Sequence, residues 1–372
     1  MPFMEKGGRA FQEISTNLLV WYERAKRPLP WRKTKDPYKI WISEIMLQQT
    51  QVDTVLPYYE RWLKSFPGVR RLAAAPLARV LKLWEGLGYY ARARNLHKTA
   101  KIVTRKFHGK FPAQAAELRK LPGIGRYTAG ALASIAFNQP EPILDGNVKR
   151  VLSRLFALKE AVDTQAGEKR LWEISRQLVS GAKGSYGDFN QALMELGALV
   201  CLPENPRCSA CPVKTLCKAH RLKRETEFPV KLRNQKTEEL KTVALVAWKN
   251  GRVLLEKQPL QSRWGGLWMF PQWILAHGKP PAEFLRKKAG GELGLQVENL
   301  RPRFSIEHGF TKYRVHLEVY EGSAVRGGGS DFNPQGKNGT APFYSWVNPS
   351  RLARLPLPAP HQKIARQIQA HA

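Results

Sequence analysis

The chain is short of acidic residues, of cysteine and of long apolar segments. Its 372 residues include 30 Asp and Glu against 61 Lys and Arg, and only four cysteines. No apolar run approaches the roughly 18 residues of a membrane span, and charged residues stand near the N-terminus, where a secretory signal needs an apolar region. We therefore expect a soluble protein that stays in the cytoplasm.

The positive charge is distributed over the whole chain. Residues 1–220 hold 36 basic and 18 acidic residues, while residues 221–372 hold 25 and 12. The 11 Trp, 11 Tyr and 15 Phe are enough to build folded cores, which excludes a disordered polycation. Two basic folded parts indicate a long polyanion such as nucleic acid as the partner, because neutralised phosphates release counterions. The alternative is a general bias toward basic, soluble proteins.

The pattern of apolar residues changes along the chain. Helical spacing predicts an all-helical domain over residues 1–220. The strongly charged stretch 221–240 has the composition of a linker. In residues 241–372, alternating patterns flank a hairpin signal at Asn250-Gly251, which predicts strands together with at least one helix. A glycine-rich loop is expected over residues 326–341.

A helix, a tight turn and a second helix are predicted over residues 118–137. Pro122 ends the first helix, and Gly123 and Gly125 permit a turn that exposes backbone N–H groups before the second helix. Such groups, together with the helix dipole, bind anions, so the turn is a candidate phosphate site. An ordinary turn between two helices uses the same residue types and is the alternative.

Two carboxylates stand in unlike surroundings. Asp145 precedes a predicted helix, where it acts as a simple N-cap or as an anion that the helix N-terminus keeps ionised. Glu44 lies among Ile42, Ile45 and Met46, and burial there would raise the pKa of its carboxyl group toward neutrality. The alternatives for Glu44 are a hydrogen-bonded structural residue and an exposed position on a polar helix face.

A protonated acid paired with a fixed anion is an arrangement that cleaves glycosidic bonds. The acid assists the leaving group, and the anion stabilises the sugar cation. For a nucleoside the leaving group is the base, which must first be extruded from the duplex while another side chain fills the gap. Gln48 and Tyr89 are candidates for this wedge, although a tyrosine more often packs in a core.

The four cysteines fall within one 17-residue stretch, separated by six, two and five residues. In a reducing compartment this cluster indicates four thiolate ligands rather than two disulfides. The spacing differs from that of paired zinc knuckles, and thiolate chemistry alone fits either zinc or an iron–sulfur cluster. The candidate ligands are Cys201, Cys208, Cys211 and Cys217.

These motifs, in this order, resemble the adenine DNA glycosylase (MutY) family of the helix-hairpin-helix, or endonuclease III, superfamily. They are PLPWR at 28–32, SEIMLQQTQV at 43–52, WEGLGYYARARNLH at 84–97, LPGIGRYTAG at 121–130, ILDGNVKR at 143–150 and the cysteine cluster. The resemblance implies a mainly α helix-hairpin-helix glycosylase domain with a [4Fe–4S] cluster. It also implies a bacterial cytoplasmic enzyme, used at the nucleoid, that acts as a monomer on double-stranded DNA.

The resemblance implies a role for each candidate catalytic residue. Glu44 corresponds to the acid that protonates adenine and then activates water, Asp145 to the carboxylate that stabilises or traps the sugar cation, and Asn147 to a residue that holds Asp145. Endonuclease III enzymes have a nucleophilic lysine where this chain has Tyr127, which implies a glycosylase that leaves an abasic site. The alternatives are a bifunctional glycosylase for oxidised pyrimidines and a non-catalytic DNA-binding protein.

The same resemblance assigns contacts with DNA. Gln48 and Tyr89 match residues inserted into the base stack, and Thr50 matches one near the lesion base. The extruded adenine is expected against Leu29, Trp31, Arg32 and Gln191. The remaining expected contacts are Gln49, Leu87, Gly123, Gly125, His308, Phe310, Thr311 and Lys312.

The second domain resembles the α+β Nudix-like domain with which the family recognises 8-oxoguanine opposite the adenine. The likeness rests on residues 264–268 and 308–312. Lys287 and Lys288 stand where a Nudix hydrolase needs metal-binding carboxylates, so nucleotide hydrolysis is not expected. The family commonly has Phe-Ser-His where this chain has Phe-Thr-Lys at 310–312, and we expect lesion affinity to differ accordingly.

Overall fold

The structure is a computed structural model that describes residues 3–232, 237–310, 312–326 and 343–370. It divides into two compact units. The helical unit comprises Met1–Ala73 and Lys98–Asn234, and the sheet unit comprises Ala74–His97 and Gln235–Ala372.

The stretch 74–97 packs with the sheet unit, although its helical pattern placed it in a domain over residues 1–220. Most of its residues are helical, but their partners are in the C-terminal part of the chain. For example, Arg94 donates hydrogen bonds to the carbonyl oxygens of Gly265 and Ser262. Periodicity predicts the type of an element and not the neighbour against which it packs. The limits of the predicted domains and linker stay a prediction.

Helices form the helical unit, as the apolar spacing predicts. The helices of the described chain are α1 (Phe3–Ala25), α2 (Pro37–Leu47), α3 (Val52–Ser65), α4 (Val69–Ala74), α5 (Leu77–Trp84), α6 (Ala91–Lys106), α7 (Ala115–Leu118), α8 (Arg126–Phe137), α9 (Gly146–Phe156), α10 (Gln165–Ser180), α11 (Tyr186–Leu199), α12 (Lys218–Arg221), α13 (Pro281–Leu293) and α14 (Ala359–Gln369). Short 3-10 turns cover Pro30–Arg32, Cys208–Ala210, Lys214–Leu216, Glu225–Glu227 and Pro349–Arg354.

Aspartates begin two of the helices that position the site. The Asp36 side chain accepts a hydrogen bond from the N–H of Tyr38 at 2.8 Å, where α2 starts. Asp145 accepts from the N–H of Val148 at 2.7 Å, where α9 starts. Each cap satisfies a backbone donor that the first helical turn leaves without a partner.

Two glycines on α11 allow it to approach α8 and α9 closely. A Cβ atom on Gly187 would lie 2.6 Å from the carbonyl oxygen of Ser134 on α8. A Cβ atom on Gly197 would lie 2.6 Å from the Cβ of Asn147 on α9. Larger residues would push these close-packed helices apart. The spacing of three helices that carry candidate site residues therefore depends on glycine.

The sheet unit contains one mixed sheet. Its strands are β1 (Glu238–Lys249), β2 (Arg252–Lys257), β3 (Trp268–Met269), β4 (Gln272–Ile274), β5 (Gln296–Phe310), β6 (Tyr313–Arg326) and β7 (Phe343–Val347). The strand order is β3-β2-β1-β6-β5; β4 also pairs with β1, and β7 with β2. β1 and β6 run parallel, whereas β5 and β6 form an antiparallel pair. The predicted hairpin is confirmed, with Asn250 and Gly251 at positive φ between β1 and β2.

A helix covers each face of the sheet. Ile364 and Ile368 of α14 pack with a cluster that includes Val246 and Leu317. On the opposite face, Leu285, Ala289 and Leu293 of α13 pack with Val243 and Leu245. Alternate β1 residues thus enter opposite cores, as the strand period of two requires. The expected α+β character of this part is confirmed.

Two further expectations from the sequence concern a glycine-rich loop and membrane-spanning segments. The glycine-rich stretch 326–341 lies outside the described residues except for Arg326, where β6 ends. Among the helices that the structure describes, none has both the length and the apolar character needed to cross a bilayer.

Candidate active site

Glu44 lies on α2, a helix that is apolar around most of its circumference. Ile42, Ile45 and Met46 are buried, and Glu44 itself is only 5% exposed. A helix that is apolar on all sides is driven into the core and carries any polar residue with it. The burial of Glu44 expected from its neighbours is therefore confirmed.

The surroundings of Glu44 favour its protonated form. Burial is the largest influence and raises the pKa of Glu44 to about 7, against an opposing hydrogen bond from Tyr127 and with a further rise from the charge of Asp145. A carboxyl group with this pKa is partly protonated at neutral pH. It therefore meets the requirement for a general acid at physiological pH.

Tyr127, in the first turn of α8, is the direct partner of Glu44. Its hydroxyl donates to Oε2 of Glu44 at 2.6 Å and lies 3.2 Å from Sδ of Met194. Burial raises the pKa of Tyr127 well above its usual value, and the nearby Glu44 and Asp145 add to the rise, so the phenol stays neutral. Because Oε2 accepts this bond, Oε1 is the carboxyl oxygen that does not accept from Tyr127. The sequence identified Tyr127 only by its lack of an amine and missed this contact.

Asp145 is the N-cap of α9, and its carboxylate is partly desolvated. Its Oδ2 lies 3.4 Å from Nδ2 of Asn147, and its Oδ1 accepts from the backbone of Val148. Burial raises the pKa of Asp145, and the N–H of Val148, the charge of Arg150 and the Asn147 amide lower it in part. The net direction is upward. Desolvation therefore outweighs the helix N-terminus and the other partners in setting the direction of this shift.

Arg150 orients Asn147, a role that the sequence patterns did not indicate. Its Nη2 donates to Oδ1 of Asn147 and to the carbonyl oxygen of Gly197, both at 2.8 Å. Its Nε donates to the carbonyl oxygen of Cys201 at 2.8 Å. With Oδ1 held by Arg150, the Asn147 amide nitrogen faces Asp145. The spacing of three residues between Asn147 and Arg150 on one helix is the signal that could have indicated this pair.

Arg32 is held by the buried carboxylate of Glu195, which the sequence patterns also did not indicate. Its two terminal nitrogens donate to the two oxygens of Glu195, each at 2.7 Å, and Arg27 donates to the same carboxylate. Burial acts to raise the pKa of Glu195, but the hydrogen bonds from Arg32 and Arg27 prevail and lower it to about 2. The Arg32 guanidinium is thus committed to Glu195, which anchors the turn that carries the expected adenine contacts.

The other residues expected around adenine are buried in the same unit. Leu29 is 7% exposed, Trp31 is 6% exposed and its ring centroid lies 5.2 Å from that of Tyr59. Gln191, on α11, is 6% exposed, and its amide lies 3.3 Å from the carboxylate of Asp188. Their contact with adenine stays a prediction.

The expected wedge residues belong to different units. Gln48 is the C-cap of α2 in the helical unit, and its amide donates to Oγ1 of Thr128 at 3.3 Å. Gln49 follows at φ 59°, a left-handed conformation that turns the chain sharply before Thr50. Tyr89 lies in the sheet unit and is 49% exposed, whereas its neighbour Leu87 is buried.

The helix-hairpin-helix turn forms between α7 and α8 as predicted. Gly123 has φ 76°, the left-handed region that favours glycine, and Gly125 is the N-cap of α8. Among the residues that the structure describes, and apart from the immediate chain neighbours, no heavy atom lies within 4 Å of a Cβ built on Gly125, so this side of the turn is open. The open turn and the twelve-residue helix that follows suit the approach of a phosphate group.

The four cysteines are free thiols that line one small cavity. Burial raises the pKa of Cys211 to about 12, and the neighbouring Cys201, Cys217 and Cys208 add to the rise. Closely packed thiols that resist ionisation lose their protons when a metal binds, because the metal stabilises the thiolates. The donor set therefore fits a four-thiolate metal centre.

A mixed ligand set overlaps this cavity. Cys208, His220 and Glu225 have ligand atoms within 4.8 Å of one another, and Nδ1 of His220 lies 2.6 Å from Oε1 of Glu225. It shares only Cys208 with the set predicted from the spacing.

The residues expected to recognise the lesion surround the β5–β6 turn. His308 lies on β5, and burial lowers its pKa, as does the charge of Lys363. Lys312 follows in the turn and forms an ion pair with Glu238, which raises the pKa of Lys312. The side chain of Phe310 and all of Thr311 lie outside the described residues.

The helix at the position of a Nudix metal site is held by other contacts. Lys288 on α13 forms an ion pair with Glu292. Glu292 also accepts a hydrogen bond from the indole of Trp273 at 2.6 Å. In the described part of the sheet unit, no group of three or more His, Cys, Asp and Glu side chains is placed to hold a metal ion.

Comparisons with known proteins agree with this architecture. A model of the HhH-GPD superfamily base excision DNA repair proteins matches residues 42–177, and a NUDIX domain model matches residues 242–367. An adenine DNA glycosylase of Buchnera aphidicola subsp. Baizongia pistaciae is 45% identical over 261 residues, or 69% of this chain and 73% of the relative. Another, from Buchnera aphidicola subsp. Schizaphis graminum, is 40% identical over 305 residues, or 82% of this chain and 86% of the relative.

A solved structure matches part of the chain. The structure of a thermostable thymine-DNA glycosylase is 29% identical, with a TM-score of 0.53, and its full length matches 59% of this chain. Together with the family matches, it confirms the helix-hairpin-helix glycosylase fold that the sequence predicts. The chain belongs to the adenine DNA glycosylase family, a family of base excision repair enzymes that hydrolyse N-glycosyl bonds.

Proposed function

We propose that this chain excises adenine mispaired with 8-oxoguanine or guanine in double-stranded DNA, leaves an abasic site and acts as a monomer. The observation that carries the proposal is the buried acid Glu44, with a pKa of about 7, beside Asp145. Membership of the family supports adenine as the excised base. The net charge of +31 and the open turn before α8 support a DNA backbone as the bound polyanion.

Glu44 acts first as an acid and then as a base. Its carboxyl group protonates a ring nitrogen of the extruded adenine, and the C1′–N9 bond breaks with both electrons passing to the base. Asp145 stabilises the positive charge that develops on the sugar. Water then bonds to C1′ and gives a proton to the Glu44 carboxylate, which restores the acid. Only one water molecule is consumed.

Tyr127 supports the acid and does not attack the sugar. An amine at this position would form a Schiff base, from which strand cleavage follows. The Tyr127 phenol is neutral and donates to Glu44. We therefore expect no strand cleavage. A bifunctional enzyme would instead form an adduct with DNA that borohydride traps as its main product.

We infer that the sheet unit reads the base opposite the adenine through the β5–β6 turn. Lys312 is engaged by Glu238, so it approaches a DNA base edge or phosphate only if this exposed ion pair opens. Exposed pairs of this kind contribute little stability, so opening is inexpensive in free energy. The replacement of a histidine by Lys312 is therefore compatible with lesion reading, with a steeper salt dependence than an imidazole would give.

We infer that the four cysteines hold a [4Fe–4S] cluster, which would tie the loop over residues 201–217 to α9. A thiolate-bound cluster also fits the reducing cytoplasm expected from the sequence. Replacing Cys211 by Ser should remove iron and sulfide, whereas His220→Ala should retain them, as measured by metal analysis. Loss of one equivalent of zinc from His220→Ala, with zinc retained in Cys211→Ser, would instead support the mixed ligand set.

The proposed activity is tested by single-turnover assays on duplexes with adenine opposite 8-oxoguanine, guanine or thymine. We expect strand breaks only after alkali, on the adenine strand, and with the first two duplexes. Glu44→Gln should abolish them, while Glu173→Gln, which changes the charge equally at an exposed site on α10, should not. Strand breaks without alkali, or no discrimination against thymine, would contradict the proposal.

A further inference from the structure

Tyr89 is presented by a turn that is conformationally demanding. The residue has φ 46° and stands between α5 and α6, with Gly86 at φ 103° and Gly88 at φ 68° nearby. A tyrosine in the left-handed region is uncommon and persists only where its surroundings impose it. Because the side chain is 49% exposed, its own packing does not supply that restraint.

Contacts within the turn fix its backbone. The indole of Trp84 donates to the carbonyl oxygen of Gly88 at 2.9 Å. Arg92 donates to the carbonyl oxygen of Leu87 at 2.8 Å, and its guanidinium lies 5.6 Å from the ring centroid of Tyr89. Both anchoring side chains come from the helices that flank the turn. The position of the turn therefore depends on the positions of those two helices.

The C-terminal segment 355–357 holds the helix before the turn. Oε1 of Glu85 accepts a hydrogen bond from the backbone N–H of Leu357 at 2.9 Å, and Oε2 pairs with Lys82 at 2.6 Å. Lys82 donates in turn to the carbonyl oxygen of Leu355 at 3.0 Å. Glu85 is therefore bound on one side by α5 and on the other by a backbone more than 270 residues away in sequence.

The helix after the turn is held by the same unit. The Tyr90 hydroxyl donates to the carbonyl oxygen of Leu357 at 3.2 Å. Because the N–H of Leu357 donates to Glu85, Leu357 contacts residues on both sides of Tyr89. Its ring lies 6.4 Å from that of Trp264, centroid to centroid, in an edge-to-face arrangement. Arg94 donates to the carbonyl oxygens of Gly265 and Ser262 at 3.1 and 3.3 Å. The sheet unit therefore restrains α5 and α6 together.

We propose that Glu85 is a positioning residue for Tyr89. Through Glu85, the sheet unit sets the orientation of the inserted Tyr89 side chain, in addition to reading the opposite base. The inference rests on the proposed function, in which Tyr89 enters the base stack. Glu85 is one residue beyond α5, and it accepts from both the Leu357 N–H and the Lys82 ammonium. Its loss frees the start of the turn without removing the wedge itself.

The test is a double-mutant cycle on the full chain, read by single-turnover excision of adenine opposite 8-oxoguanine. Glu85→Ala should slow excision roughly tenfold, the loss expected when a hydrogen bond to a charged group is removed. Glu85→Gln keeps an oxygen acceptor for Leu357 and should recover most of the rate. In a Tyr89→Ala background, Glu85→Ala should slow excision by less than about twofold, because residues that act through one group are not additive.

Glu173→Ala is the matched control, since it removes an acid from another i,i+3 ion pair, on α10, with the same change in net charge. It should leave the rate unchanged. The dependence of the rate on pH should keep its midpoint in Glu85→Ala, because the acid Glu44 is untouched. The proposal would be overturned if the losses of the two single variants added in the double variant. It would also be overturned if Glu85→Ala excised adenine as fast as the unmodified chain while Tyr89→Ala was impaired.

A second readout separates this proposal from the proposed activity. A 2-aminopurine base beside the mispair becomes fluorescent when a side chain unstacks it. The unmodified chain should raise this fluorescence, and Glu85→Ala should raise it less at saturating protein. If the unmodified chain unstacks the reporter but releases no adenine, the proposed function fails and the positioning role stands. An equal signal from both proteins would overturn the positioning role.

Discussion

Two buried carboxylates of the helical unit ionise in opposite ways. Glu44 and Glu195 are both almost inaccessible to water. The pKa of Glu44 is raised to about 7, while that of Glu195 is lowered to about 2. Burial acts upward on both. The difference lies in their partners, because Glu44 accepts from a neutral phenol and Glu195 accepts from two guanidinium groups.

The comparison shows that burial alone does not make an acid catalytic. Desolvation opposes the charged form of either residue, and cationic donors reverse its effect. Glu195 is consequently a fixed anion that holds Arg32 and the adjoining turn in place. Glu44 keeps a proton available near neutral pH. Burial also raises the pKa of Asp145, while backbone, amide and guanidinium partners oppose the rise.

The largest effect should follow from removing the titrating acid. Glu44→Gln keeps the size of the side chain but cannot deliver a proton, and general acid catalysis contributes roughly 10²- to 10⁴-fold. We expect a rate loss of at least that size in single-turnover excision, with DNA affinity retained in a gel-shift assay. A rate within tenfold of the unmodified chain would show that another group protonates the base.

The next effect concerns stability rather than chemistry. Glu195→Ala leaves Arg27 and Arg32 without their carboxylate, and breaking a buried ion pair costs about 3 kcal/mol. We expect the free energy of unfolding to fall by this amount in urea titrations. Glu23→Ala, which breaks an exposed pair with Lys26 in the same unit, should change it by less than about 1 kcal/mol. Equal losses in the two variants would refute the structural role of Glu195.

The dependence of stability on acid pH should also differ between Glu195 and Glu44. The pKa of Glu195 is about 2 in the folded chain, below its ordinary value of 4.5, so its stabilising contribution is present above pH 4.5 and is lost as the pH falls toward 2. Glu44, whose pKa is raised, contributes in the opposite sense: its stabilisation is present below 4.5 and is lost as the pH rises through 7. Glu195→Gln should therefore flatten the acid limb of stability measured by chemical denaturation, and Glu44→Gln should not.

The smallest expected effect is a displacement of the Glu44 titration. Tyr127→Phe removes a hydrogen bond that favours the charged carboxylate, so the pKa of Glu44 should rise by about one unit. The alkaline limb of the excision rate should move to higher pH by that amount. A shift to lower pH, or an unchanged limb, would show that the Tyr127 hydroxyl does not set the ionisation of Glu44.

Local patterns in the sequence predicted much of this molecule. Helical spacing identified the helices, Asn250-Gly251 identified a hairpin, and the apolar neighbours of Glu44 indicated its burial. Each of these depends on residues that are close in sequence. They are the cases in which periodicity, turn chemistry or the polarity of neighbours carries the information.

Contacts between distant residues could not be predicted in this way. The Tyr127–Glu44 bond joins residues 83 positions apart, and the Arg32–Glu195 pair spans 163 positions. The packing of residues 74–97 with the sheet unit also depends on tertiary contacts. The desolvation that raises the pKa of Asp145 also depends on tertiary packing, whereas the helix N-terminus beside this residue was visible in the sequence.

The central claim is that Glu44 holds the reactive proton near neutral pH. The most direct test is the single-turnover rate of adenine excision as a function of pH, at saturating protein. We expect a plateau below pH 7 and a tenfold fall in rate for each pH unit above about 7, the pKa of Glu44. At low pH the rate should fall only as Asp145 becomes protonated. A rate that is constant from about pH 6 to 9, or that rises with pH across this range, would contradict it.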